Sequence, residues 1–371
     1  MRVQLKPGLR RTWRTPESVQ IGVGPGHGTV LAGLTEADAA ALDRFAEGMD
    51  LPSTGGSAAT ARQRRLAELL NEADLLVPAR SGRATFSRLG TGRHRLAADA
   101  AVWGLVHRTA GDGWGLLAAR AGRHVVVTGA GRTGTALAGT LAGAGIGRVT
   151  VRDPAPVTEV DLMPGGHRQC DVGRRRDESA ADLIGRAGAA AGSGPGRPDL
   201  VVLVRYAVAD AGQAEPLVRA DLPHLSIVLR GPDAVVGPLV VPGLGPCLRC
   251  LDLHRSDRDP AWPKVLAQLL YPAGQPAEPE EAATATLVAG LAALQVLTWL
   301  DGVARPASLG ATLEVELPDG LVAGRPWASH PGCGCHWPPP DRAPDRGPDR
   351  GPDRTPVSEG REPADGTTMD R

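Results

Sequence analysis

Two groups of residues in this sequence are of the kind that carries chemistry. In the first, Val125-Val126-Val127-Thr128 runs into Gly129-Ala130-Gly131-Arg132-Thr133-Gly134, a G-x-G-x-x-G placed directly after a strand-like run and at the start of a helix-like one. Gly129 permits a tight turn, Gly131 removes the side chain where a phosphate must approach backbone N–H groups, and Gly134 lets the helix pack closely on the sheet. The helix N-terminus then offers free amides and a partial positive charge to an anion. The next apolar run, Val149-Thr150-Val151, ends at Asp153, where an acidic side chain accepts hydrogen bonds from ribose hydroxyls. Gly129, Gly131, Gly134 and Asp153 are thus expected to bind a nucleotide. The loop alone does not separate ATP from NAD, and a purely structural turn is the bland alternative.

The second group is sulfur. Cys247-Leu248-Arg249-Cys250 follows a Gly/Pro-rich stretch, and Pro331-Gly332-Cys333-Gly334-Cys335 comes late in the same region. Two close-spaced pairs on tight turns are what a structural Zn²⁺ needs, because four thiolates close a tetrahedron and leave no position for water. Cys247, Cys250, Cys333 and Cys335 are the expected ligands, with His330 or His336 able to replace one thiolate. Four unligated thiols is the plain alternative. Cys170 is left over and reads as an ordinary free thiol.

The elements that must hold these groups follow from the pattern around them. Val125-Val126-Val127 is apolar on both faces, as a strand buried in a parallel sheet must be. A helix over about 134–144, a strand at 149–151 and further strands at 200–204 and 225–229 alternate as a doubly wound sheet requires. Residues 312–317 alternate as a half-exposed late strand, and 282–300 reads as a buried helix interrupted by Thr, Gly and Gln295. The expected class is α/β: a doubly wound, mostly parallel, Rossmann-like sheet over 96–336 with a small α/β domain before it, residues 1–95. In that first domain strands fall at 18–23 and 28–32, joined by Gly24-Pro25-Gly26. Thr35 caps a helix with Asp38 in the place of a capping-box Glu. A second helix covers about 61–71, and Leu75-Leu76-Val77 closes the domain. This order suggests a small winged-helix-like unit, with 82–95 as linker. The tail, 337–371, carries an imperfect Pro-Asp-Arg-Gly repeat and is expected to be disordered.

Composition narrows the classes. The chain has 371 residues, too many for one ordinary domain, and 42% are apolar, enough for a sizeable core. Only 3% are aromatic, so Ala, Val and Leu must build that core. Lys plus Arg and Asp plus Glu number 41 each, which argues against nucleic acid as partner. The first residues lack an apolar signal region, and no stretch reads as a membrane span, so a cytoplasmic protein is expected, whose cysteines serve as ligands or thiols rather than disulfides.

Taken together, the loop from Gly129, Asp153, the 235–243 stretch leading into the first cysteine pair, the small-residue helix at 282–300 and the second cysteine pair resemble the ThiF/MoeB/HesA adenylyltransferases, relatives of the ubiquitin-activating enzymes. The resemblance covers roughly 122–335. It implies ATP with Mg²⁺, a structural zinc, a small protein or peptide whose carboxylate is activated, and a homodimer paired through helices flanking the sheet. Several positions depart from the family. Asp161-Leu162-Met163-Pro164-Gly165 lacks the family's Asn and Arg, Arg174-Arg175-Arg176 stands near its phosphate-contacting Lys, and only Asp210 is acidic in 206–210. That points to weakened catalysis. The first domain resembles the leader-peptide-binding domains of azole-forming systems, in which such a unit presents a peptide to a partner enzyme by adding it as a strand to a sheet edge. A non-catalytic peptide-binding scaffold is therefore the second reading. An NAD-dependent oxidoreductase is a third, without a legible catalytic set.

Overall fold

The computed structural model describes residues 2–23, 28–51, 58–79, 94–107, 111–192, 194, 196–271 and 279–335. The turn at 24–26, most of the 82–95 linker, His336 and the tail from 337 lie outside the described residues. Two compact units divide the chain between Leu116 and Leu117.

The first unit contains β1 (Arg2–Leu5), β2 (Arg11–Thr15), β3 (Ser18–Ile21), β4 (Thr29–Ala32), α1 (Glu36–Glu47), β5 (Met49–Asp50), α2 (Ala58–Glu72), β6 (Leu76–Pro78) and α3 (Ala97–Val106). Its strands form two three-stranded antiparallel sheets, ordered β5-β1-β6 and β2-β3-β4. Leu42 and Phe45 from α1 pack with Leu66 and Leu70 from α2 over Val19 and Ile21. The expected cap forms: the Thr35 N–H donates to Asp38 Oδ2 at 2.8 Å, and the Asp38 N–H donates to Thr35 Oγ1 at 3.3 Å. Arg62 Nε of α2 donates to the same carboxylate at 2.8 Å, so one buried acid ties both helices together. Burial works against that charge, but the bonds from Thr35 and Arg62 outweigh it and hold Asp38 below the usual carboxylate range.

The second unit begins within α4 (Trp114–Arg120) and continues with β7 (His124–Thr128), α5 (Arg132–Gly143), β8 (Arg148–Arg152), α6 (Arg176–Arg186), β9 (Ala190–Ala191), β10 (Leu200–Tyr206), α7 (Ala211–Arg219), β11 (His224–Leu229), β12 (Asp233–Val240), α8 (Leu248–Arg258), α9 (Trp262–Leu270), α10 (Ala282–Asp301), β13 (Ala311–Glu316) and β14 (Leu321–Pro326). One eight-stranded sheet runs β14-β13-β12-β11-β10-β7-β8-β9. Strands β9 to β11 are parallel through β8, β7 and β10, while β12, β13 and β14 add an antiparallel edge. The fold class is the expected one.

Period-two alternation explains the layers. Val125 and Val127 of β7 face a core with α5 and α10, whereas Val126 joins Val201, Leu203 and Leu251 on the opposite face. Both faces are covered, which is why β7 reads as an unbroken apolar run. Helix α10 is long and apolar enough to cross a membrane by length and composition. In the fold it is a core helix, whose Val288, Ala289, Ala292 and Val296 lie buried between α5 and the sheet. Its end is fixed by Asp301, which takes two hydrogen bonds from the fully buried guanidinium of Arg120, at 2.9 and 2.5 Å.

Strand β7 has β8 on one side and β10 on the other, so the chain reverses its direction of winding there. At such a switch point the loops beyond the strand ends part and leave a crevice. The glycine loop opens into it.

Candidate functional site

The loop after β7 has the geometry its sequence calls for. Gly129 takes φ +93°, a left-handed value that L side chains rarely adopt, and a Cβ there would lie 2.7 Å from the Val204 carbonyl oxygen. At Gly134 a Cβ would lie 2.0 Å from the Gly129 carbonyl oxygen, so only glycine lets α5 start this close to its own strand. Gly131 is the N-cap residue of α5, and its bare Cα faces Tyr206 Oη and Glu280 Oε1.

Asp153, just beyond β8, holds the loop from the other side. Its Oδ2 accepts the Ala130 N–H at 2.8 Å and meets Arg176 Nη1 at 3.3 Å, while Oδ1 accepts the Ala155 N–H at 3.1 Å. Arg176 also bonds Asp161, with Nη2 at 2.8 Å from Oδ1. Burial alone would lower the Arg176 pKa, but its bonds to Asp161 and Asp153 raise it instead. Of the three arginines at 174–176, this is the one that reaches the loop's acids. Arg174 pairs with Asp171 and Asp182, and Arg175 with Asp177. Beneath the loop, the buried His167 lies 2.8 Å from the Ala130 carbonyl oxygen, 2.9 Å from Thr135 Oγ1 and 2.8 Å from Ser179 Oγ.

The first turn of α5 holds a group that the sequence did not reveal. Glu280 lies just before α10, and its Oε2 accepts the Thr133 N–H at 2.8 Å. Its Oε1 accepts the Tyr206 hydroxyl, and its main-chain oxygen takes Arg132 Nη1 at 2.6 Å. A carboxylate therefore sits on the open amides of the helix, where the partial positive charge favours an anion. Burial, and then the charge of Glu280, push the Tyr206 phenol above its ordinary value, so it stays protonated and donates. Tyr206 had a weak signal, as a polar ring ending an apolar strand. Glu280 had none, because its partners lie far away along the chain. Asp210 is not part of this cradle: it caps α7, accepting the Gln213 N–H at 3.1 Å, with Arg205 at 3.7 Å.

On the other face, the four expected cysteines come together. Their sulfurs all lie within 4.8 Å of one another. Cys247 is 3.9 Å from Cys250 and 3.5 Å from Cys333, and Cys250 is 3.3 Å from Cys335. A tetrahedron with metal–sulfur bonds of about 2.3 Å has sulfurs about 3.8 Å apart. The donor set and spacing fit a Zn²⁺ held by four thiolates. As bare thiols they resist ionising together: its hydrogen bond with Cys250, and then burial, push Cys247 up, while burial pushes Cys335 up to about 12. A divalent cation removes that conflict. His330 is not a fourth-ligand substitute here. Its Nδ1 accepts the Gly332 N–H at 3.0 Å and its Nε2 lies 2.9 Å from Asp257 Oδ2, so it braces the cysteine turn against α8. Cys170 is exposed and apart from the cluster.

Residues 115–189 match the ThiF family model. No curated protein matches the chain in sequence. Among solved structures, the microcin C7 biosynthetic enzyme MccB in complex with N-formylated MccA superposes with a TM-score of 0.65 at 16% identity, covering 91% of this chain and 100% of that one. E. coli MccB with ATP gives 0.64 at 17% identity, covering 90% and 99%. Selenomethionine PaaA gives 0.64 at 18%, covering 87% and 100%. At these identities the likeness is one of fold.

Proposed function

This chain carries a ThiF-family segment on the fold of MccB and PaaA, and from that premise we propose that it is an ATP-binding adenylyltransferase-type protein acting on the carboxylate of a peptide or small protein. The observation that carries the reading is the anion seat at the start of α5, where the Thr133 amide binds a carboxylate beside Gly131. ATP phosphates would take that seat, and Glu280 would leave it. Asp153 keeps one lone pair uncommitted after its three contacts, enough for a ribose hydroxyl. Tyr206 and Arg132 would then face the phosphates, and Arg176 would hold Asp153 in place.

The proposed reaction joins a peptide carboxylate oxygen to the α-phosphorus of ATP and releases pyrophosphate. Cations over the phosphates are what such chemistry requires. The acids of the cradle are poor ligands for Mg²⁺ as they stand, since Asp153 and Asp161 carry Arg176, and Asp210, outside the cradle, caps a helix. The metal would therefore enter as the ATP complex. The cysteine cluster is read as a structural zinc site that fixes the start of α8 to the 333–335 turn.

The first unit supports a peptide as the substrate. Strand β2 lies at the edge of its sheet with Trp13 46% exposed, so its free backbone groups can take an added strand. A second copy of the chain would pair over the outer face of α10, where Leu287 and Leu294 remain exposed.

ATP–pyrophosphate exchange in the presence of a cognate peptide tests the reading, with exchange abolished by Asp153→Ala. Glu280 in the phosphate seat is the observation favouring the other reading, a peptide-holding scaffold without catalysis. Tight peptide binding with neither nucleotide binding nor exchange would establish that one instead.

A further inference from the structure

A cavity of about 340 Å³ opens beside β10 and β11, on the α8 and α9 face of the sheet. Its wall includes Arg230, Arg255, Arg258 and Arg325, with Asp259 the one carboxylate among the lining residues. Three of these guanidiniums crowd a single indole: Arg255, Arg258 and Arg325 lie 5.7, 5.6 and 5.9 Å from the centre of the Trp327 ring. Arg255 also covers Trp262 at 5.1 Å.

Internal acids pair with three of the four arginines. Asp252 binds Arg255 at 3.2 Å, Asp233 binds Arg230 at 3.1 Å and Glu314 reaches Arg325 at 3.6 Å. Arg258 meets no carboxylate within ion-pair distance among the described residues, and its Nε donates to the His254 carbonyl at 3.3 Å. Burial lowers the Arg255 pKa; Asp252 works against that shift, and the charges of Arg230 and Arg258 add to it. Arg258 is thus the guanidinium in this concave, arginine-lined wall that is left to bind an anion, with the paired arginines beside it.

The cavity's shape indicates which anion. Guanidiniums hold phosphate and carboxylate alike, so the apolar part of the wall decides between them. Planar guanidinium forks match a carboxylate in two-point contact. Val208, Val228 and Leu251, with Trp262, give methylene groups an apolar wall. The cavity also starts at Ala207, next in sequence to the Tyr206 that reaches the glycine loop.

We propose that this arginine-lined cavity is a specificity site for an acidic side chain of the peptide substrate, an Asp or Glu close to the carboxylate that is activated. The inference rests on the peptide-adenylating reading above. The site selects by charge: its arginines hold the acidic side chain while the peptide's reacting carboxylate lies toward the glycine loop.

The test uses the full-length protein and titration calorimetry with three probes: acetyl-Glu-Glu-Glu-amide, acetyl-Gln-Gln-Gln-amide and pyrophosphate. The triglutamate peptide is expected to bind at least tenfold more tightly than the triglutamine peptide, and to weaken as sodium chloride rises from 50 to 300 mM. Arg258→Gln and Arg325→Gln, at exposed positions that leave the fold intact by thermal melting, are each expected to weaken triglutamate binding about fivefold or more. Both should leave ATP affinity unchanged. Equal binding of the two peptides, no triglutamate binding at millimolar concentration, or unaltered affinity in both variants overturns the proposal. So does pyrophosphate binding tighter than triglutamate with the same loss in both variants, which would assign the cavity to phosphate. Triglutamate binding that depends on these arginines, in a protein that binds no ATP, upholds the site and refutes the adenylation reading alone.

Discussion

If Glu280 occupies the seat that ATP phosphates need, removing its carboxylate should strengthen nucleotide binding. The group makes one charged hydrogen bond to a main-chain amide, at 2.8 Å from Thr133 N, and takes a second from the Tyr206 hydroxyl. Bonds to a charged partner contribute about 1.5–3 kcal/mol each, and an anion at a helix N-terminus adds about 0.3–1 kcal/mol. ATP restores the amide bond and the dipole interaction with its own phosphates. The uncompensated loss on displacement is then about 2 kcal/mol, chiefly the Tyr206 bond and the movement of the chain at 279–281. Glu280→Ala should therefore bind ATP·Mg²⁺ about 30-fold more tightly. Glu280→Gln, which keeps the shape but loses the charge, should fall between. Without nucleotide the alanine variant leaves the Tyr206 hydroxyl and the Thr133 amide unsatisfied, so it should melt at lower temperature and regain stability with ATP. Titration calorimetry and thermal melting with and without ATP read both effects. Unchanged or weaker ATP binding in Glu280→Ala, with the fold intact, would refute the competition.

Other consequences are more local. Arg120→Ala strands the Asp301 carboxylate in the core, where the pair is 0% and 1% exposed, and should cost about 3–5 kcal/mol in chemical denaturation of the second unit. One zinc per chain is expected by metal analysis, with Cys250→Ser or a strong chelator removing it and lowering the melting temperature. A metal-free chain of unaltered stability would contradict the four-thiolate site. Asp38 has a depressed pKa, so its stabilising charge is present above the unfolded carboxylate value of about 3.9 and is lost as pH falls through the lower folded value. Asp38→Asn should cost about 1–2 kcal/mol near neutral pH and flatten the acid limb of the first unit's stability curve, measured by denaturation between pH 2 and 7.

The parts of the fold legible in the sequence are those with local causes. The 125–134 segment declares itself because a buried strand, a tight turn and a helix start each restrict their own residues, and the chain obeys all three. Thr35 with Asp38 is legible for the same reason. The cysteines could be read across 85 residues of separation because each pair is itself a local turn motif. Long-range polar contacts left no such trace. Glu280 touches Thr133 across 147 residues and Arg120 touches Asp301 across 181, and in each case neither residue's neighbours announce the partner. Helices α6 to α9 were hidden too. Helix α8 carries Arg, Asp and His in place of a regular apolar stripe, and α6, α7 and α9 are only 11, 9 and 9 residues long. The 174–176 run was legible as positive charge, but only the structure separates Arg176, bound to Asp153 and Asp161, from its two neighbours.

A crystal structure of the full chain with Mg²⁺ and a non-hydrolysable ATP analogue tests the central claim most directly. Phosphate oxygens should lie within hydrogen-bonding distance of the Gly131–Thr133 amides and the ribose beside Asp153, with the Glu280 carboxylate moved off the helix. Nucleotide bound elsewhere while Glu280 still holds Thr133 and Tyr206 would contradict it.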